Sequence, residues 1–179
     1  MNLPNKLTIF RISMVVPIVV LLLLARDNTG LHYLAGILFI VASLTDLLDG
    51  YLARKNDWVT NFGKFMDPLA DKLLVCAVLI CLIEKGIVPS WAVILIVARE
   101  FAISGFRLIA VEKGLVLAAS PLAKYKTTLQ MIWTIYLLFP FPWDKWQTAA
   151  NILMWISVVL TVLSFSEYIL KNKEVLGKL

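Results

Sequence analysis

Long apolar runs separated by short polar segments make up almost the whole 179-residue chain. Each run approaches or exceeds the roughly 20 residues that an α-helix needs to cross the hydrocarbon core of a bilayer. The breaks combine charged residues with Gly, Pro or Asn, which lipid-exposed backbone does not tolerate. The pattern predicts six transmembrane helices, near residues 8–25, 32–54, 64–83, 88–111, 122–139 and 149–170.

The composition agrees with this pattern. Hydrophobic residues make up 60% of the chain and the mean hydropathy is +0.84, whereas soluble domains are about half apolar. Six spans nearly fill the chain, so no room is left for a second, soluble domain. We therefore predict an all-α, polytopic membrane protein that forms a single domain over residues 1–179.

The distribution of Lys and Arg predicts the orientation in the membrane. If the N-terminus lies in the cytoplasm, twelve basic residues fall at or near that side, and the opposite side holds only Arg26, Lys85 and Lys145. An even number of spans then returns the C-terminus to the cytoplasm. The net charge of +5 indicates this topology and an attraction to anionic membrane lipids, and we expect no nucleic-acid partner.

Two pairs of aspartates interrupt the apolar pattern. Asp46 and Asp49 lie three residues apart near the end of the second run, and Asp67 and Asp71 lie four apart near the start of the third. Each spacing places both carboxylates on one face of a helix. The connection between the two runs is short, which predicts antiparallel neighbours whose acidic faces meet at the same depth.

Four carboxylates in this position require compensation. An aspartate at the centre of a membrane helix costs about 2.5–3.5 kcal/mol on insertion scales, and converging carboxylates also repel one another. Hard divalent cations with oxygen ligands remove both costs, which favours a site for Mg²⁺ or Mn²⁺. The alternative is a salt-bridged helical hairpin without chemistry, but ion pairing alone does not explain the regular spacing or the small residues nearby.

The segment from Asp46 to Asp71 reads D-x2-D-G-x2-A-R-x8-G-x3-D-x3-D. At every position this pattern resembles the signature of the CDP-alcohol phosphatidyltransferases. Residues 2–11, 61–72 and 98–107 are similar to the bacterial phosphatidylglycerophosphate synthases of that family. The resemblance implies a six-helix fold, commonly a homodimer, in a bacterial cytoplasmic membrane, with a polar active-site cavity that faces the cytoplasm.

The resemblance also implies a reaction and a set of site residues. CDP-diacylglycerol and sn-glycerol 3-phosphate would give phosphatidylglycerophosphate and CMP. Asp46 and Asp67 would bridge two divalent cations, Asp49 would complete one cation site, and Asp71 would complete the other and act as general base. The CDP portion of the donor would be held by Pro4, Asn5, Gly50, Arg54 and Thr60.

Two further interpretations come from the residues themselves. Asp71 is suited to the role of base because it lies one helical turn deeper than Asp67, in a buried position among other carboxylates. A phosphorylated acceptor needs cations, and the fourth and fifth runs supply candidates near the cytoplasmic side. The alternative role of these candidates is to anchor the helices at the membrane surface; they are Arg99, Arg107, Lys124 and Lys126.

The identity of the acceptor stays open at this point. Ala123 stands where the glycerol 3-phosphate-using members usually have glycine, so the same chemistry with phosphatidylglycerol, serine or inositol phosphate is an alternative. A divalent-cation transporter is a rival from another class, but it would need carboxylates near the bilayer midplane and a polar route to the far side. A non-catalytic membrane scaffold fits the intact aspartate pattern poorly.

Overall fold

The computed structural model describes the backbone of residues 3–25, 28–55, 61–112, 114, 121–142 and 144–176. It describes the side chains of residues 5–25, 28–45, 66–67, 69–112, 114, 121–142 and 144–173. These ranges contain six α-helices and no strand, which confirms the prediction of an all-α fold. The helices are α1 (Leu3–Leu24), α2 (Thr29–Lys55), α3 (Asn61–Glu84), α4 (Ser90–Glu112), α5 (Pro121–Leu138) and α6 (Trp146–Leu176).

The helices extend past several of the predicted ends. Helix α1 begins at Leu3 rather than near residue 8, and α6 continues to Leu176 rather than ending near residue 170. An apolar run marks only the part of a helix that avoids water, whereas the backbone hydrogen bonds continue into the polar flanks. Hydropathy therefore places the centre of each helix better than its ends.

Two stretches in the described part of the chain are long and apolar enough to cross a membrane, Asn5–Leu24 and Trp146–Lys173. Helices α3 and α4 each carry several charged residues within their length, which lowers their hydropathy. The prediction of a membrane protein is thus supported by two helices. The crossing of all six remains a prediction.

The chain forms two compact units. The first contains Met1–Val88 and Thr134–Pro140, and the second contains Pro89–Trp133 and Phe141–Leu179. Helix α5 therefore contributes its residues up to Trp133 to the second unit and its last turn to the first. The four predicted metal ligands fall in the first unit, and the four predicted acceptor-binding cations fall in the second.

In the first unit, α1 packs against both α2 and α3. The buried side chains of these helices include Ile18, Leu22, Phe39, Leu74 and Leu79. Burying a large aliphatic or aromatic side chain of this kind contributes about 1.5–3 kcal/mol, so this apolar contact holds the unit together. Within the described residues, α2 and α3 touch each other less extensively than each touches α1.

The residues that follow the last turn of α5 pack against α2. The rings of Tyr33 and Phe139 stack with their centroids 5.7 Å apart, and the Tyr33 hydroxyl donates to the Pro140 carbonyl at 3.0 Å. A Cβ atom on Gly36 would lie 2.8 Å from two atoms of the Phe139 ring. Only glycine permits this close approach of the α2 backbone to the aromatic ring.

Local capping sets the ends of α2 and α3. The Asn28 side chain accepts hydrogen bonds from the amides of Gly30 (2.9 Å) and Leu31 (3.3 Å), which caps the start of α2. At the end of α3, Gly86 has a φ of 69° and donates to the Ile83 carbonyl at 2.8 Å. The following amide, that of residue 87, bonds back to residue 82 at 3.1 Å, which completes a Schellman motif.

In the second unit, α4 packs against α6. Ile103, Ala110 and Tyr168 form a small buried cluster between these two helices. Trp133 of α5 is also buried and donates its indole N–H to the Ala150 carbonyl of α6 at 3.1 Å. The second unit therefore joins α4 and most of α5 to α6.

Candidate active site

Two of the predicted acidic residues lie one turn apart near the start of α3, and both contact α1. The Thr8 hydroxyl donates to Asp67 Oδ1 at 2.6 Å. The Arg11 guanidinium donates through Nη1 to Asp71 Oδ1 at 2.7 Å, which makes an ion pair. The structure therefore places both carboxylates on the side of α3 that faces α1.

The side chains of Thr8 and Arg11 are fully buried, whereas that of Asp71 is 30% exposed. An arginine inside an apolar span is costly unless it has a partner, and Asp71 supplies one. The two α1 residues are three apart, so they share one face of that helix. Asn5, a predicted donor-binding residue, lies three residues earlier and is half-buried.

Neither Thr8 nor Arg11 is among the active-site residues predicted from the sequence. A signal was present, because polar residues recur at positions 5, 8 and 11 within an otherwise apolar run. That spacing indicates a polar stripe turned toward a neighbouring helix. Which helix it meets is decided by tertiary packing.

The remaining first-unit predictions lie outside the described side chains. The residues concerned are Asp46, Asp49, Pro4, Gly50, Arg54 and Thr60. The residues with described side chains contain no group of three or more His, Cys, Asp and Glu that is arranged to hold a metal ion. Only two of the four predicted ligands belong to that part, so the metal site stays a prediction.

A cavity of about 610 Å³ lies at the opposite end of the first unit. Its polar lining includes Asn28, His32, Glu84 and Lys85, and it borders the end of α1 and the start of α2. Along α3, Glu84 is about 20 Å from Asp71, at 1.5 Å per residue. This cavity is therefore separate from the aspartates and is not the predicted active site.

In the second unit, a buried carboxylate joins two of the predicted acceptor-binding cations. Glu100 Oε1 accepts from Arg99 Nη1 at 3.0 Å and also forms an ion pair with Lys126 Nζ. Arg99 donates in addition to the Ser164 hydroxyl of α6 at 3.1 Å. The three charged residues carry a net charge of +1 and tie α4, α5 and α6 together.

Of the other two predicted cations, Lys124 lies apart from this network, whereas Arg107 and Arg99 both lie close enough to Tyr168 to interact with its hydroxyl. Lys124 and Lys126 are two residues apart on α5 and so point to different sides of the helix: Lys124 is exposed and Lys126 is 1% exposed. Arg107 is half-buried beside Tyr168, two turns after Arg99 on α4. The structure thus brings Arg99 and Lys126 together but does not gather all four into one cluster.

Comparison with known proteins defines the class. The sequence profile of the CDP-alcohol phosphatidyltransferases matches residues 1–163. The chain belongs to this family, and the prediction of a phosphatidyltransferase made from the aspartate pattern is confirmed.

Three relatives share the chain over nearly its whole length. The Bacillus subtilis protein is 46% identical over 189 aligned positions, which cover 98% of this chain and 97% of the relative. The Rickettsia typhi protein is 42% identical, with 93% and 94% covered, and the Haemophilus influenzae protein is 35% identical, with 94% and 91% covered. All three carry the name CDP-diacylglycerol–glycerol-3-phosphate 3-phosphatidyltransferase.

Proposed function

We propose that this protein transfers the phosphatidyl group of CDP-diacylglycerol to sn-glycerol 3-phosphate, giving phosphatidylglycerophosphate and CMP. The observation that carries the proposal is the near full-length match to relatives that bear the name of this activity, 46% identical in the Bacillus subtilis protein. The product places the enzyme in phospholipid biosynthesis. The same transfer to phosphatidylglycerol, serine or inositol phosphate is the alternative that an acceptor assay must exclude.

The proposed cofactors are two divalent cations, Mg²⁺ or Mn²⁺, held by Asp46, Asp49, Asp67 and Asp71. The described pair fits this role because two carboxylates one turn apart on α3 offer the hard oxygen donors that these ions prefer. When bound, the cations would neutralise charge on the phosphoryl oxygens of the donor. The protein side chains would then position the two substrates and move the proton.

In the proposed reaction, the acceptor hydroxyl oxygen attacks the phosphorus that carries the diacylglycerol. The bond from this phosphorus to the bridging oxygen breaks, and CMP leaves with the electron pair. Asp71 takes the proton of the attacking hydroxyl.

The donor nucleotide is proposed to bind in the first unit, through Pro4, Asn5, Gly50, Arg54 and Thr60. The half-buried position of Asn5, three residues before Thr8 on α1, is consistent with this role. Arg54 would stabilise the charge that develops on the departing CMP phosphate.

The acceptor phosphate is proposed to bind in the second unit, through Arg99, Arg107, Lys124 and Lys126. Arg99 and Lys126 share one carboxylate, so their network keeps an excess positive charge that an anion would offset. The exposure of Lys124 and the burial of Lys126 suggest different roles, in which Lys124 attracts the anion and Lys126 helps to hold it.

We propose that all six helices cross a bacterial cytoplasmic membrane, with both termini and a polar active-site cavity facing the cytoplasm, and that the enzyme is a homodimer surrounded by membrane lipids. Two apolar helices and the excess of basic residues on one side support this arrangement. Labelling of single cysteines introduced at positions 27 and 144 in intact cells tests it, because both positions should react with an impermeant reagent. Protection of both would reverse the orientation.

An acceptor panel tests the proposed activity. Purified protein is incubated with CDP-diacylglycerol, Mg²⁺ or Mn²⁺, and glycerol 3-phosphate, phosphatidylglycerol, serine or inositol phosphate, and CMP release is measured. We expect release with glycerol 3-phosphate. Release only with another alcohol would assign a different acceptor, and metal uptake into vesicles without CMP release would favour a transporter.

A further inference from the structure

The proposed roles of Asp67 and Asp71 as metal ligands and base do not explain why α1 contacts both of these aspartates. We propose that Thr8 and Arg11 are positioning residues of the active site. They would hold the carboxylates of Asp67 and Asp71 in one orientation. Arg11 would also keep a permanent positive charge beside the four aspartates of the motif, Asp46, Asp49, Asp67 and Asp71. The inference rests on the proposed function of these aspartates.

The geometry indicates a fixed register between the two helices. Residue 8 meets residue 67, and residue 11 meets residue 71, so the partners are 59 and 60 positions apart. At the other end of the same pair, Lys85 donates to the Ala25 carbonyl at 2.6 Å, again 60 positions apart. Helices α1 and α3 therefore run side by side in parallel and are held at both ends, which leaves the two carboxylates little freedom to reorient.

The chemistry of the contacts indicates more than packing. A buried ion pair is often no more stable than two well-packed apolar residues of similar size, so stability alone does not require Arg11 and Asp71. Two α1 side chains, fully buried and on one helical face, each donate to a different carboxylate of the acidic motif. Orientation of these acids and reduction of their mutual repulsion account for both contacts.

The positive charge of Arg11 should affect cation binding in a way that a purely structural contact would not. The Arg11 guanidinium repels any cation that Asp71 binds, so its removal should strengthen divalent-cation binding. Without the hydrogen bond from Arg11, the Asp71 carboxylate would be more mobile. Cation binding would then have to order this side chain, which weakens the affinity slightly. The repulsion from a unit charge beside a dication is the larger effect, so tighter binding is expected together with slower turnover.

The experiment compares the full-length wild-type protein with Arg11→Met, Arg11→Lys, Thr8→Val and Thr161→Val, all in detergent. Mn²⁺ affinity is measured by electron paramagnetic resonance, and kcat and the KM for CDP-diacylglycerol are measured by CMP release. Thr161→Val is the matched control, because Thr161 is also a fully buried helical threonine, but its hydroxyl donates to the Ser157 carbonyl of its own helix in the other unit.

We expect Arg11→Met to bind Mn²⁺ at least about tenfold more tightly and to lose about 10- to 100-fold in kcat, with little change in KM. Arg11→Lys should keep wild-type Mn²⁺ affinity within about threefold, because it keeps the charge. Thr8→Val should lower kcat by about tenfold, whereas Thr161→Val should leave it unchanged.

Unchanged or weaker Mn²⁺ binding by Arg11→Met, or equal kcat values for Thr8→Val and Thr161→Val, would overturn the inference. If Arg11→Met does not fold, the lysine and valine variants still decide it, since a tenfold loss of kcat in Thr8→Val alone supports positioning. The proposed function fails separately, if the wild-type protein releases no CMP with glycerol 3-phosphate.

Discussion

The buried carboxylate of Glu100 allows a test of how much its ion pairs stabilise the second unit. Its side chain is 8% exposed, and it pairs with Arg99, 7% exposed, and with Lys126, 1% exposed. Glu100→Gln would remove the carboxylate that both buried cations share. Lys126→Met would leave that carboxylate in place, paired with Arg99 at 3.0 Å.

The two variants should therefore lose different amounts of the free energy of unfolding. Breaking a buried ion pair so that a charge is stranded costs about 3–5 kcal/mol, and Glu100→Gln should fall in this range or above it. Lys126→Met should cost less, about 1–3 kcal/mol, because it removes one hydrogen bond to a charged group. The double variant should be more stable than Glu100→Gln alone, because only one buried cation, Arg99, then lacks the Glu100 carboxylate.

Thermal unfolding in detergent, followed by intrinsic fluorescence, measures these differences. For a chain of this size, 1 kcal/mol corresponds to about 2–4 °C in Tm, so Glu100→Gln should lower Tm by about 10 °C. The control is Lys171→Met, whose side chain is 60% exposed in its pair with Glu167 and should shift Tm by less than about 3 °C. An unchanged Tm in Glu100→Gln, or a double variant less stable than Glu100→Gln, would refute the reasoning.

The same variants test acceptor binding. If Lys126 holds the acceptor phosphate, Lys126→Met should raise the KM for glycerol 3-phosphate by more than about tenfold, at about 1.4 kcal/mol per factor of ten, and leave the KM for CDP-diacylglycerol unchanged. A KM for glycerol 3-phosphate that does not move would assign Lys126 to structure alone.

Three further predictions concern the proposed base, the proposed cofactors and the contact of Gly36 with Phe139. Asp71→Asn, which keeps the shape but cannot accept the proton, should reduce kcat by at least about 100-fold while the protein still binds CDP-diacylglycerol, and retained turnover would rule out Asp71 as base. Chelation of divalent cations should abolish CMP release and Mg²⁺ or Mn²⁺ should restore it; activity that survives chelation would exclude the proposed cofactors. Gly36→Ala should destabilise the protein by about 1–3 kcal/mol, because its Cβ would meet the Phe139 ring at 2.8 Å, and a Tm equal to wild type would show that the ring moves aside freely.

Much of the helical fold could be predicted because hydropathy is a local property. The centres of all six helices follow from apolar runs, and the caps at Asn28 and Gly86 coincide with residue types that favour such ends. The family was indicated by the resemblance of residues 46–71 to its signature, in which Asp46, Asp49, Asp67 and Asp71 have the same spacing. What these local patterns lack is the partner of each polar face.

The structure supplied partners that the sequence had left open. The sequence predicted that α3 would turn its acids toward those of α2, and this stays a prediction because Asp46 and Asp49 lie outside the described side chains. The structure adds contacts that the sequence did not indicate, from Thr8 and Arg11 of α1 to Asp67 and Asp71. In the second unit, the sequence predicts that Lys124 and Lys126 bind the acceptor phosphate together, because both lie near the cytoplasmic side of the fifth span. Helical geometry separates them, and only the buried one reaches Glu100.

By itself, then, the sequence determined the class of protein, the positions of its helices and the residue types available for chemistry, because these depend on spacing along one chain. The tertiary structure decided which charges meet. Residues about 60 positions apart pair across α1 and α3, and buried cations on α4 and α5 share one carboxylate. Such contacts depend on how whole helices pack, and the energy of burying a charge makes each pairing specific.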